Sequence, residues 1–332
     1  GNLDTDTFLL KGRGGTGKTT IIRKALEKYT KSSVIGSTIS EEARGVLQEN
    51  MKGYTTKTIA SLLGLVVDYR KATGEQYFRV RNHREEEEFR NDGKVDPIEG
   101  RRIIIIDETS MIGDDIYNII LEKKDPDAKV IFMGDNAQIP PIQEKGTIEK
   151  DSPAFDLEGI EGQYSELTER MRQGVESPIL PITDVYANNI ENMQEGRQGL
   201  ANPLVVRTPI VTKKGTVNFI KNRDLFISEY VKDLQKSEDL KETIVVTARV
   251  KTSDAINQAV REKLFENAKS EPFIAGDRLR VNSPYLDKAT GDSYPNGFKC
   301  RVVEVSVNKE LSDKLEVIMY QLRVSYGKVD KD

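Results

Sequence analysis

Residues 12–19 constrain the fold of this chain more than any other segment. They read Gly-Arg-Gly-Gly-Thr-Gly-Lys-Thr and fit the pattern G-x-x-x-x-G-K-[ST]. The glycines let the backbone curl until successive N–H groups point at phosphate oxygens. An apolar run at 8–10 precedes this segment, and helical spacing over 21–29 follows it. The order predicts a strand, a phosphate-binding loop and a helix whose N-terminus faces the anion.

The loop assigns individual tasks to its side chains. We expect Lys18 to reach the β- and γ-phosphates of a nucleotide and the Thr19 hydroxyl to bind Mg²⁺. The residues predicted to contact the nucleotide are Gly12, Gly14, Gly15, Thr16, Gly17, Lys18, Thr19 and Thr20. ATP and Mg²⁺ are therefore the expected cofactors.

A second half of the site follows the apolar run at 103–106. Asp107 comes at the end of this predicted buried strand, where its carboxylate can share the Mg²⁺ with Thr19. Glu108, the next residue, is suited to orient or activate an attacking water. Farther along, Gln138 follows another apolar run, at 130–133, and can contact the γ-phosphate. Arg172 can stabilise charge on the phosphoryl group, because its guanidinium is planar and always charged.

Strands alternate with helices in the first half of the chain, which predicts an α/β domain with a parallel sheet. Predicted strands lie at 8–10, 33–36, 102–106 and 130–133, and a helix at 41–50 begins after Ser40 as its N-cap. Between 68 and 100 the charge density rises. We interpret this stretch as an inserted subdomain, in which 77–80 form a hairpin strand and the acidic run 85–88 a solvated helix face.

The pattern restarts after residue 177. Residues 243–247 predict a strand and 253–265 a helix, as at the opening of a second α/β domain. From 273 the pattern becomes all-β. Strands are predicted at 278–281, 301–307, 316–320 and 322–326, with a Pro-Asn-Gly turn at 295–297, which suits a small barrel-like module.

Composition excludes several classes of protein. The chain has 332 residues, a net charge of −4, one Cys and one His, so it contains no intrachain disulfide and no Cys/His zinc site. Nucleophilic chemistry that needs histidine would depend on His83, which we expect to be a solvated surface residue. No apolar run approaches the ~18 residues of a membrane span. We therefore expect no membrane partner and a cytoplasmic location.

These motifs, in this order, resemble those of superfamily-1B DNA helicases, in particular the phage Dda and bacterial RecD-like group. Residues 12–19 match the first motif of the family and 107–110 the second. Residues 134–138 match the third, and 167–173, with Arg172, the fourth. Residues 243–257 resemble the opening of the second motor domain, and 275–282 with 295–297 resemble its SH3-like module. The fifth and sixth motifs, which normally follow that module, are absent from the sequence.

The resemblance implies an α/β fold with two RecA-like parallel-sheet motor domains, the second one incomplete. It places the first motor domain at 1–67 and 101–176, a duplex-splitting "pin" insertion at 68–100, the partial second motor domain at 177–272 and the SH3-like module at 273–332. It also implies ATP-driven 5′→3′ movement on single-stranded DNA, with separation of tailed or forked duplex by a monomeric motor. A bacterial cell or phage-infected host, and replication or recombination proteins as partners, follow from the same resemblance.

The DNA-contacting residues implied by the resemblance are Thr38, Thr58, Ser61, Tyr77, Phe78, Pro140 and Asn257. Residues 1–65 carry ten basic and six acidic side chains, which suits a groove for DNA phosphates. Ala60 stands where the family usually has His, and no adenine-reading helix precedes the first strand. Four alternatives stay open. The threonines can be cap or turn residues, and the aromatic pair can pack within its hairpin. The protein can be a nucleotide-gated DNA-binding or protein-displacing ATPase without strong unwinding, and RNA can take the place of DNA as the substrate, because backbone contacts hardly discriminate between them.

Overall fold

The computed structural model describes most of the chain in two compact units, Gly1–Val217 and Asn218–Asp332. The described residues are 6–69, 71, 76–141, 150–169, 171, 177–194, 209–236, 243–247, 249–281, 285–286, 293–294, 297–315 and 317–325. Among them, no helix is long and apolar enough to cross a membrane.

The first unit alternates strands and helices. In chain order its elements are β1 (Thr7–Gly12), α1 (Lys18–Leu26), β2 (Val34–Thr38), α2 (Glu41–Asn50), β3 (Thr55–Thr58), α3 (Ile59–Leu62), β4 (Val66–Tyr69), β5 (Gln76–Arg79), α4 (His83–Asn91), β6 (Ile103–Ile106), α5 (Asp114–Lys123), β7 (Lys129–Gly134), β8 (Tyr164–Leu167), α6 (Leu180–Gln194), β9 (Ile210–Thr212) and β10 (Gly215–Val217).

Six of these strands form one parallel sheet in the order β3-β2-β6-β7-β1-β8. All four isoleucines of β6 are buried, and they alternate between two hydrophobic clusters. Ile104 and Ile106 pack with Phe132 in one cluster, and Ile103 and Ile105 pack with Met133 in the other. A sheet covered on both faces needs such uninterrupted apolar strands. The predicted α/β class with a parallel sheet is confirmed.

Local signals set the ends of several elements. Helix α2 spans the predicted residues, and the Ser40 Oγ accepts a hydrogen bond from the Ala43 N–H at 3.1 Å, as an N-cap does. Helix α4 begins with a capping box between Asn82 and Glu85.

The antiparallel hairpin β4–β5 precedes α4 in the insertion. The acidic run 85–88 lies on α4 but is only half solvated. Glu87 and Glu88 are exposed, whereas Glu85 and Glu86 accept hydrogen bonds from Arg79 and Arg81.

The second unit contains α7 (Arg223–Lys236), α8 (Val250–Leu264), β11 (Arg278–Arg280), β12 (Tyr285–Leu286), β13 (Ser293–Tyr294), β14 (Lys299–Val307), α9 (Lys309–Leu315) and β15 (Tyr320–Ser325). Helices α7 and α8 pack through Ile227, Val231 and Val260. Strands β11, β14 and β15 form an antiparallel sheet. Arg261 on α8 donates to Asp277 at 2.9 Å, just before β11, and so ties the helix to the sheet.

Two strands predicted in this unit are wrong. Residues 243–247 form no strand, since no described segment pairs with them. In the strand predicted at 316–320, residues 317–319 form no strand. Helix α9 precedes them, and Asn308 caps this helix by accepting from the Leu311 N–H at 3.1 Å. Strand β15 then begins only at Tyr320, opposite Val307 of β14. Pro295 and Asn296 of the predicted turn lie outside the described residues.

The division between the units also differs from the predicted boundary at 176/177. The compact first unit extends to Val217 and includes α6. Arg13 of the phosphate loop explains why α6 belongs there, because its guanidinium donates to Asp184 at 3.3 Å and to Asn188 at 2.7 Å. The remaining domain assignments stay predictions.

Candidate nucleotide site and its surroundings

The loop between β1 and α1 has a backbone that requires its glycines. Gly15 and Gly17 have φ values of 83° and 89°, in the left-handed region where a side chain is strained. At Gly12 a Cβ would lie 2.7 Å from the Thr16 Oγ1 and 2.9 Å from the Leu167 carbonyl oxygen, so the position admits no side chain. Gly17 is also the N-cap of α1, and no side chain caps the N–H groups of the first turn. These donors suit a phosphate.

Three carboxylates influence the ammonium of Lys18. Its Nζ donates to the Gly12 carbonyl and, at 3.3 Å, to that of Arg13. Burial lowers the pKa of Lys18, while the charges of Asp107, Asp135 and Glu108 act to raise it. The ends of β6 and β7 therefore carry negative charge close to the loop lysine. Parallel strands gather such groups because their carboxyl ends meet at one edge of the sheet.

Asp107 is the most perturbed acid of the site. Burial and then the neighbouring Glu108 carboxylate raise the pKa of Asp107 to about 6. The Glu108 N–H donates to the Asp107 Oδ1 at 3.0 Å and partly opposes this rise. A carboxylate that is costly to ionise in isolation is well suited to bind a cation.

Glu108 has the only positive φ, 56°, among the described non-glycine residues. A non-glycine residue in the left-handed region is strained, and such strain is concentrated at functional sites. The strained backbone fixes the direction of the chain at Glu108, two residues after the end of β6. This observation supports a role for Glu108 at the reacting phosphate.

The donors present fit a nucleotide with Mg²⁺. Among the described residues, no group of three or more His, Cys, Asp or Glu side chains could form a closed metal cage. Mg²⁺ needs no such cage beside a nucleotide, because it keeps several waters and takes one or two protein ligands plus phosphate oxygens. Thr19 and Asp107 would hold the ion, and the loop N–H groups with Lys18 would hold the phosphates.

Of the two residues predicted to contact the γ-phosphate, only Gln138 lies among the described residues. Gln138 is exposed in the turn after β7, where its N–H donates to the Asp135 carbonyl at 3.1 Å, and Pro140 is exposed two residues later. Arg172 lies outside the described residues. Its neighbour Met171 donates its N–H to the Gly15 carbonyl at 2.8 Å, so the chain reaches the phosphate loop immediately before Arg172.

Sequence reasoning assigned no role to two residues of this site. Asp135 is buried at the end of β7 and acts on Lys18, a role that its position after an apolar strand could have indicated. Arg13 occupies a variable position of the loop motif and contacts Asp184 and Asn188 of α6. No local pattern could have indicated these contacts, because more than 170 residues separate Arg13 from Asp184.

Thr38 and Thr58 lie side by side at the ends of β2 and β3, where they are partners in the register. The Thr38 side chain is fully buried, and its hydroxyl has no hydrogen-bond partner among the described residues. The hydroxyl is therefore not accessible in this structure, and the DNA contact that the resemblance implied for Thr38 stays a prediction. The Thr58 hydroxyl accepts from the Ser61 N–H at 3.3 Å, so it caps α3. Ser61 is exposed, and Ala60 lies on the same short helix.

The two aromatic residues predicted in the pin lie on opposite faces of the hairpin, because they are adjacent in β5. Phe78 is opposite Val67 and is 60% exposed. Tyr77 is opposite Asp68 and is 39% exposed, on the face where Arg79 donates to Asp68 at 2.7 Å. The alternative of packing within the hairpin therefore suits Tyr77 better than Phe78. His83, at the start of α4, is exposed as predicted.

Asn257 belongs to the second unit. It is exposed on α8 and lines a concavity of about 840 Å³, together with Arg261, Asp277 and Cys300. Its DNA contact stays a prediction.

The sheet, the glycine loop and the acids after β6 and β7 define a phosphate-loop nucleotide-binding domain. The family described as AAA domain matches residues 3–199, and the chain belongs to this family.

The relatives agree with the resemblance read from the motifs. The ATP-dependent DNA helicase Dda of Enterobacteria phage T4 is 26% identical over 308 residues, which cover 89% of this chain and 62% of the relative. This similarity confirms the predicted resemblance to the Dda group of superfamily 1B. An uncharacterised protein of Acanthamoeba polyphaga mimivirus is 22% identical over 319 residues, covering 90% of this chain and 60% of that protein. The chain thus spans about three fifths of the length of these curated relatives.

Among solved structures, the Pif1 helicase from Candida albicans is 17% identical with a TM-score of 0.47, covering 96% of this chain and 70% of that one. Pif1 helicase from Bacteroides, in complex with ADP-AlF3 and single-stranded DNA, is 18% identical with a TM-score of 0.40, covering 97% and 71%.

Proposed function

We propose that this protein is an ATP-dependent DNA helicase that moves 5′→3′ on single-stranded DNA and separates duplex ahead of it. The observation that carries the proposal is the arrangement around Lys18, where a glycine loop faces the acids of two adjacent strand ends. The similarity to Dda along 89% of the chain supports DNA as the substrate. The direction of movement is inferred from that similarity alone.

In this proposal each residue of the site has one task. Lys18 and the loop N–H groups bind the phosphates of ATP, and Thr19 and Asp107 hold Mg²⁺, which neutralises phosphate charge when bound. Glu108 orients the attacking water. Gln138 and Arg172 contact the γ-phosphate, so that its loss changes the contacts between protein and nucleotide.

The DNA side of the proposal rests on exposed residues. Ser61, Pro140 and Asn257 contact the single strand, and Thr58 combines its cap with a phosphate contact through its remaining hydroxyl hydrogen. Contacts of this kind hold a backbone without reading bases. The buried Thr38 side chain packs inside the sheet at the end of β2 and so supports this strand end. Phe78, more exposed than Tyr77, stacks on the separating base pair.

The first test is steady-state ATP hydrolysis with and without single-stranded DNA, for the wild type, Lys18→Ala and Lys24→Ala. Lys24 lies exposed on the same helix and serves as the matched control. We expect stimulation by DNA, its loss in Lys18→Ala and its retention in Lys24→Ala. A rate of hydrolysis that does not rise with DNA, or that is unchanged in Lys18→Ala, would contradict the proposal.

A second assay separates the helicase from a DNA-binding or protein-displacing ATPase. Duplexes with a 5′ tail, a 3′ tail or no tail are incubated with the protein and ATP. The helicase proposal expects release of the strand only from the 5′-tailed duplex. DNA-stimulated hydrolysis without release of any strand would favour the alternative.

A further inference from the structure

Gly64 lies shortly before the predicted insertion at 68–100 and Asp96 lies near its end, and one side chain joins these two points. The Arg81 Nη1 donates to the Gly64 carbonyl at 2.7 Å, and its Nη2 donates to both Asp96 oxygens at 2.7 and 2.8 Å. Lys123, the last residue of α5, donates to the same carboxylate at 2.6 Å. We call Arg81, Asp96 and Lys123 the insertion anchor.

Two members of the anchor, Arg81 and Asp96, are buried, and both are paired with opposite charges. The Arg81 and Asp96 side chains are 7% and 1% exposed. Arg81 also donates to Glu86 of α4 at 2.6 Å, and its guanidinium lies 3.8 Å from the ring centroid of Phe89. Arg81 and Lys123 thus both face Asp96, and Glu86 is shared between Arg81 and Arg90. Removing one partner of such a buried group leaves an uncompensated charge, which is strongly destabilising.

The same charged contacts continue to the hairpin. Arg79 of β5 donates to Glu85 of α4 at 2.6 and 2.8 Å and to Asp68 of β4 at 2.7 Å. Helix α4 therefore holds the hairpin through Glu85 and the anchor through Glu86. Lys123 extends the chain of contacts to α5, the helix that follows Asp107 and Glu108 along the sequence.

We propose that Arg81 is a positioning residue that holds the hairpin in a fixed place on the nucleotide-binding domain. This inference rests on the proposed helicase function. A hairpin that separates base pairs must resist the DNA that is drawn against it. If it yields, each ATP-driven step moves DNA without opening a base pair, so hydrolysis continues while unwinding fails.

The test compares Arg81→Lys and Lys123→Gln with Arg84→Lys. Lysine keeps the charge of Arg81 but cannot bind Gly64 and Asp96 together. Lys123→Gln cuts the link to α5 and leaves the Arg81–Asp96 pair in place. Arg84 is the control, because it lies only three residues after Arg81, on α4, and pairs with Glu88 at 2.8 Å on the exposed surface.

We expect unwinding of a tailed duplex to fall at least about tenfold in both variants, since Arg81→Lys breaks the buried fork to Gly64 and Asp96 and Lys123→Gln breaks the part-buried Lys123–Asp96 pair. Hydrolysis stimulated by single-stranded DNA should stay within about twofold of the wild type, and Arg84→Lys should be normal in both assays. Equal losses of hydrolysis and unwinding would mean that Arg81 merely supports the nucleotide-binding domain. Normal unwinding in Arg81→Lys would refute the positioning role.

Amide hydrogen exchange tests the anchor independently of activity. In Arg81→Lys the amides of β4 and β5 should exchange about 100-fold faster, while those of β6 and β7 keep their wild-type rates. Unchanged exchange in the hairpin would overturn the inference even if the wild type is a helicase. Faster exchange in a protein that never unwinds DNA would retain the anchor and reject the helicase proposal.

Discussion

Replacing Gly64 with alanine should break the insertion anchor from the backbone side. Gly64 has a φ of 60°, and a Cβ at this position would overlap the Asp96 carboxylate and the Arg81 guanidinium. Both groups are held by several hydrogen bonds, so neither can move without leaving a partner. Alanine at residue 64 is therefore expected to separate the buried pair.

The size of the effect follows from two contributions. A left-handed alanine costs about 1–2 kcal/mol relative to glycine. Separating a buried ion pair costs about 3–5 kcal/mol. The sum, roughly 4–7 kcal/mol, would lower the melting temperature by on the order of 10–20 °C in a unit of this size.

Gly93→Ala is the matched control for the backbone term. Gly93 lies in the same insertion with a φ of 70°, and a Cβ there would meet no atom within 4 Å. Only the left-handed penalty of about 1–2 kcal/mol should apply to it. Thermal unfolding of both variants, followed by circular dichroism, measures the difference. The far-ultraviolet signal is used because the chain contains no tryptophan whose fluorescence could report unfolding.

A double-mutant cycle isolates the overlap. In an Asp96→Ala background the carboxylate is absent and Arg81 has lost one partner, so its guanidinium can move away from the new Cβ, and adding Gly64→Ala should cost less than it does in the wild type. Equal melting temperatures for Gly64→Ala and Gly93→Ala would refute the reasoning. Full additivity of Gly64→Ala with Asp96→Ala would refute it as well, because the two changes would then act on separate contacts.

Two further predictions concern the site and the hairpin. Since the folded-state pKa of Asp107 is raised from 3.8 to about 6, wild-type stability should fall as pH rises through this window. In the absence of nucleotide and Mg²⁺, Asp107→Asn should therefore be more stable than the wild type above pH 6, by up to about 3 kcal/mol, and as stable as the wild type near pH 4. Melting curves of both proteins across this pH range measure the difference, and a difference that does not change with pH would contradict the prediction. Phe78→Ala should reduce duplex unwinding more than Tyr77→Ala does, while both variants keep DNA-stimulated hydrolysis. A larger loss of unwinding in Tyr77→Ala would show that the face of the hairpin that carries Tyr77 contacts DNA.

The fold around the candidate nucleotide site was predictable because its signals are local. The loop at 12–19 combines a motif with its own backbone requirement, seen in the left-handed Gly15 and Gly17. Asp107 was predictable because four consecutive isoleucines mark a strand buried on both faces, and a polar residue that follows such a strand lies at the sheet edge. The approximate positions of the strands in the first unit followed from the same periodicity.

The environment of each side chain was harder to predict. Thr38 is buried because β2 lies inside the sheet, between β3 and β6, a neighbour relation that motif spacing does not contain. The faces of Tyr77 and Phe78 depend on the register of β4 with β5, which a weakly alternating, charged segment does not specify. Helix α9 was missed because it is only seven residues long and lies between the β-branched residues of β14 and those at 317–318.

The charge density of the insertion was interpreted as solvation, and the structure indicates a more specific use. Among the described residues of 68–100, only Asp96 and Ile98 are buried, so the insertion has almost no apolar core of its own. A segment of this size cannot bury enough apolar surface to fix its orientation on a larger domain. Buried, mutually satisfied charges can fix it instead, because an arginine fork accepts few arrangements of its partners. The positions that matter are 64, 81, 96 and 123, which are too far apart in sequence for any local pattern to join them.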